Sequence, residues 1–118
     1  MPKGMRSKNK MKELKKESFL SQASVTLFSH FEGPDSRSHY VTIYYDIDPT
    51  TGELTKTYIN DSDMFLRPGS RSVEKTTISY ESFYRAVSFY DAEHQTLLRQ
   101  ITPETFREWL DEHWEILL

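Results

Sequence analysis

The sequence predicts an α+β fold: a small mixed or antiparallel β-sheet or pseudo-barrel, with a short N-terminal helix before it and an amphipathic C-terminal helix after it. Three observations carry this. Residues 24–59 alternate β-branched and aromatic residues with polar ones, the period of a half-buried strand. Turn chemistry interrupts that stretch at Gly33-Pro34-Asp35-Ser36 and at Asp48-Pro49-Thr50-Thr51-Gly52. Near the end, Phe106, Trp109, Leu110, His113 and Leu117 recur at the spacing of one helical face. A chain of 118 residues is the size of one domain and can bury a modest core without disulfides or metals. Residues 1–10 read as a basic flexible tail and residues 11–118 as a single α+β domain.

The tail holds Pro2, Gly4, Ser7 and Asn9 among its charges and has little apolar surface to bury, which predicts mobility. Residues 11–23 turn helical in propensity, with Met11, Leu14 and Phe19 able to face the body. In the first strand, residues 24–31, simple alternation sets Val25, Leu27 and Ser29 against Thr26, Phe28 and His30. The second, residues 39–47, sets His39, Val41, Ile43, Tyr45 and Ile47 against Tyr40, Thr42, Tyr44 and Asp46. Pro49 suits the first corner of a hairpin and Gly52 a left-handed position, so residues 54–59 return as a third strand. Pro68-Gly69-Ser70 breaks the chain before a strand over residues 73–78. Residues 80–90 fit both periods; their dense aromatics predict a helical turn near Tyr80, a strand to Tyr90 and a partner strand over residues 95–101. Thr102 as N-cap, Pro103 at the first position and Glu104 beside the positive helix end start the final helix.

Several chemistries are excluded or left unsupported by residue type and spacing. The chain has no cysteine, which removes disulfide frameworks, thiolate metal sites and thiol nucleophiles. Its four glycines, at positions 4, 33, 52 and 69, form neither a dinucleotide fingerprint nor a phosphate loop. The four histidines show no paired spacing for zinc, and Asp46, Asp48, Asp61 and Asp63 lack the ligand order of a calcium loop. No serine sits in a nucleophile-elbow frame. The expectation is a non-enzymatic protein with no cofactor and no metal, soluble and cytoplasmic, because no apolar run has the length of a signal peptide or a membrane span.

Charge is segregated along the chain. Residues 1–16 carry seven basic side chains against one acidic, a net +6, whereas the remainder carries eight basic against seventeen acidic, a net −9. Arg6, Lys8, Lys10, Lys12, Lys15 and Lys16 can neutralise phosphates and release counterions, although a lysine-rich terminus also serves as a plain solubilising leader. The same cations can instead fold back on the acidic body and screen it. Tyr40, Tyr44 and Tyr58 are strand aromatics of the kind that stack unpaired bases, with Arg67, Arg71 and Lys75 placed to hold the backbone. Ordinary cross-strand packing is the competing role for each tyrosine. Trp109 and Trp114, five residues apart, cannot share a narrow stripe; either both pack on the sheet or one sits at an edge where a partner protein could cover it.

The lysine-rich start, the β-rich stretch over residues 24–59 and the acidic helical end over residues 102–118 resemble the PrgU family, small regulators of pheromone-inducible conjugative plasmids. The resemblance implies a PUA-like fold, a compact mixed barrel with flanking helices, and post-transcriptional control through messenger RNA. It assigns no individual site residue. The first reading is therefore a regulator that binds nucleic acid, RNA above all, in a plasmid or other mobile-element context. The second is a protein-binding inhibitor or adaptor acting through the acidic, aromatic C-terminal surface.

Overall fold

The computed structural model describes residues 3–33, 39–62 and 71–117, with side chains from residue 10 onwards except those of His39 and Ser62. In chain order the elements are α1 (Lys3–Leu20), β1 (Val25–Glu32), β2 (His39–Ile47), β3 (Leu54–Ser62), β4 (Arg71–Ile78), α2 (Tyr80–Tyr90), α3 (Ala92–Leu98) and α4 (Phe106–His113), which continues as a 3-10 turn, Trp114–Leu117. The strands form one antiparallel meander in the order β1-β2-β3-β4, so β1 and β4 are its two edges. The fold is α+β, as the sequence predicts, in its open-sheet form.

The β2–β3 hairpin follows the turn chemistry of its residues. Asp48 Oδ1 accepts from the Thr50 and Thr51 amides at 2.8 and 3.3 Å, and the Gly52 amide donates to the Asp48 carbonyl at 2.8 Å. Those amide donors hold the Asp48 carboxyl below its ordinary value. Gly52 has φ 76°, and a Cβ there would stand 2.8 Å from the Phe106 ring. The Tyr80 hydroxyl donates to the Gly52 carbonyl at 2.6 Å, and Arg107 Nη1 donates to the Pro49 carbonyl at 2.9 Å. The hairpin tip is thus clamped between α2 and α4.

Four expectations change. α1 begins at Lys3, inside the stretch read as a tail, because Lys, Arg and Met are good helix formers and lengthening a helix is easier than nucleating one. Residues 80–90 are the helix α2 and residues 92–98 the helix α3, not a strand pair. The Ser79 hydroxyl caps α2 by accepting from the Ser82 amide at 3.1 Å, and Phe83 and Val87, four residues apart, are wholly buried. Asp91 then caps α3, accepting from the Glu93 and His94 amides. α4 starts at Phe106, three residues after Pro103: the Thr102 hydroxyl accepts from the Thr105 amide at 3.2 Å and closes a lead-in turn. The alternation in β1 breaks at a bulge between Thr26 and Phe28. After it, Phe28 and His30 point to the helices and Ser29 and Phe31 away, the reverse of simple alternation.

All the helices contribute to one core. Phe19 and Leu20 of α1, Phe83 and Val87 of α2, Leu98 of α3 and Trp109 and Leu110 of α4 cluster with Val25, Leu27, Ile43, Tyr45, Ile47 and Leu54 of the sheet. These strand residues share one face, so the molecule has two layers. Neither tryptophan sits at an exposed edge: Trp109 is 4% and Trp114 5% exposed. Two indoles five residues apart cannot both face the sheet squarely, but α1 covers the second, with the Phe19 and Trp114 rings 5.8 Å apart.

Candidate nucleic-acid interface

Strand parity decides which predicted site residues meet. β2 pairs with β3 through Ile43↔Tyr58 and Tyr44↔Thr57, and β3 pairs with β4 through Thr57↔Lys75 and Asp61↔Arg71. Tyr40, Thr42 and Tyr44 of β2 therefore share the face opposite the helices with Thr57, Ile59 and Asp61 of β3 and with Arg71, Val73 and Lys75 of β4. Among the described residues no element covers this face. Phe31, Val73 and Tyr44 stand 62%, 51% and 37% exposed on it.

Cross-strand register arranges the face in rows. One row runs Tyr40, Asp61, Arg71; the next Phe31, Thr42, Ile59, Val73; the third Ser29, Tyr44, Thr57, Lys75. Neighbouring strands lie about 4.8 Å apart and residues two apart on a strand about 7 Å apart, so aromatics on β2 face cations on β4 across about 10 Å, and Phe31 on β1 is about 14 Å from that strand. The Phe31 and Tyr40 rings stack 6.3 Å apart at 27°. Tyr40 also lies over Gly33, where a Cβ would stand 2.7 Å from its ring. Arg71 Nε stands 3.7 Å from Asp61 Oδ1, a loose ion pair.

The remaining expected site residues lie elsewhere. Tyr58 is on the helical side, packed against the core, because its register partner is Ile43. Lys12 and Lys16 do not join the face: Lys12 Nζ stands 2.7 Å from Glu115 and Lys16 Nζ 2.5 Å from Asp111, so these two cations do fold back on the acidic body. Lys10 and Lys15 are exposed on α1, which also carries Arg6 and Lys8; Arg67 lies outside the described residues. Phe31, which sequence reasoning missed, joins the face only because of the bulge in β1. A bulge has no reliable sequence signal in a strand without glycine.

A concavity of about 380 Å³ opens between β1, α3 and the C-terminal turn, where His94 Nδ1 contacts Asp91. Asp91 is already the N-cap of α3, and the His94 and Glu93 amides hold its carboxyl below the ordinary value, so the pair completes a cap. Among the described residues no cluster of three or more His, Cys, Asp or Glu is placed to hold a metal, and no helix is long and apolar enough to cross a membrane. No protein-family model, no curated protein and no solved structure matches the chain.

Proposed function

We propose that the sheet face opposite the helices binds single-stranded nucleic acid, RNA in particular, and that the protein regulates through that binding rather than by catalysis. One observation carries the reading: exposed aromatics on β1 and β2 and two cations on β4 share one sheet face that no element among the described residues covers. Unpaired bases stack on aromatic rings whatever their identity, and a cation about 10 Å to the side meets the backbone. The regulatory role, in a plasmid or other mobile-element context, rests on the resemblance to the PrgU family. The protein-binding reading of the C-terminal helix has lost its exposed tryptophan, because both indoles are buried.

Fluorescence anisotropy with a labelled uridine oligomer tests the proposal. Tyr44→Ala weakens binding roughly 5- to 150-fold, the range for losing one stacked base. Lys75→Ala lowers the slope of log affinity against log salt by about one. Absence of affinity at low salt in the unmodified protein ends this reading.

A further inference from the structure

We propose that Asp61 distinguishes RNA from DNA by accepting a hydrogen bond from a ribose 2′-hydroxyl. This deepens the sheet-face reading and rests on it. In the row Tyr40, Asp61, Arg71, each residue sits on a neighbouring strand, so the strand of the carboxylate lies between that of the ring and that of the cation. A nucleotide has the same order of parts: base, sugar, phosphate. A base on Tyr40 and a phosphate at Arg71 set the sugar over β3.

The chemistry of the central residue decides what it recognises. An ionised carboxylate only accepts hydrogen bonds, and beside a phosphate it is repelled unless the ligand brings a donor. The 2′-hydroxyl is the donor that RNA has and DNA lacks. Asp61 has the acceptor capacity for it. Among the described residues its side-chain partner is Arg71, and at 3.7 Å that contact is longer than a hydrogen bond. Among the described residues the other carboxylate on this face is Asp46, whose Oδ1 accepts from the Thr26 hydroxyl at 2.6 Å. Thr57 holds the matching position in the row of Tyr44 and Lys75, but it is buried, at 8% exposed. Asp61 is half-buried, and its row is the one in which a β3 carboxylate stands between an aromatic strand and a cation strand.

The test compares three oligomers of one sequence and length on the full chain: uridine, deoxyuridine and 2′-O-methyluridine, each by anisotropy at fixed low salt. The expected result is a uridine oligomer bound about tenfold more tightly than either of the others, because the methyl ether keeps the oxygen and loses the proton. Asp61→Ala removes a negative charge and strengthens all three, so the ratio is the readout: it falls towards one. Asp61→Asn keeps the shape and an acceptor oxygen without the charge, and retains an intermediate ratio. Equal affinity for uridine and deoxyuridine oligomers in the unmodified protein overturns the role of Asp61 and leaves the sheet-face reading standing. A full ratio in Asp61→Ala also overturns it. Binding of none of the three overturns both.

Discussion

Tyr45 and Tyr80 tie the stability of this fold to alkaline pH. Burial pushes each phenol up to about 12, helped at Tyr45 by Tyr90 and at Tyr80 by Tyr84 and Glu104. Unfolded tyrosines ionise near 10, so between about 10 and 12 the unfolded chain holds fewer protons than the folded one, and stability falls as pH rises. Below 10 both phenols are protonated in both states and their contribution is fully present. Urea denaturation at stepped pH should show a flat stability to about pH 10 and then a decline, with a shallower decline in Tyr45→Phe; an identical decline in that variant would refute the assignment. The Tyr80 hydroxyl has a second role, holding the carbonyl of Gly52. The turn at Gly52 is legible from Asp48, Pro49 and Gly52 themselves. Its clamp by Tyr80 and Arg107 is not, because contacts 28 and 58 residues apart leave no periodic trace.

Among the elements, α2 shows how local propensity loses to burial and capping. Its aromatics favour strands, and Phe83 and Phe89 would share a face in a strand. In the helix they do not: Phe83 is wholly buried while Phe89 is 82% exposed. Phe83→Ala should therefore cost about 3–5 kcal/mol and Phe89→Asp less than about 0.5, both read by urea denaturation. Comparable losses in the two variants would contradict the helix. Ser79 is a hydroxyl residue of the kind that caps a helix start, and the aromatic density of residues 80–90 points the other way. The sheet was legible in its strands and not in its faces. Tyr40 and Tyr44 are on the expected side of β2, whereas Tyr58 is on the helical side and Phe31 is turned outward by the bulge, since one residue of slip reverses a strand.

At the scale of the whole molecule, two of the N-terminal cations, Lys12 and Lys16, meet acidic residues at the surface of the helical layer. The pairs of Lys12 with Glu115 and Lys16 with Asp111 are largely solvent-exposed, and such pairs contribute about 0–1 kcal/mol each. Burial of Phe19 and Leu20 contributes about 1.5–3 kcal/mol each, so apolar contact holds α1 in place and the ion pairs orient it. Lys12→Ala with Lys16→Ala should leave tryptophan emission unchanged, whereas Phe19→Ala should shift it to the red by uncovering Trp114. A red shift in the lysine variant and none in Phe19→Ala would reverse that ranking. The charge asymmetry was plain in the sequence, and so was the chance that it closes on itself. The opposite placement of α1 and the aromatic face was not, because it depends on which side of the sheet the helices pack. Titration of the isotope-labelled protein with a uridine oligomer, followed residue by residue in NMR spectra, tests the central claim most directly. Resonances of Phe31, Tyr40, Tyr44, Thr57 and Lys75 should move together, with those of Tyr58 and Trp109 fixed; shifts confined to α1, or none at all, would contradict the account.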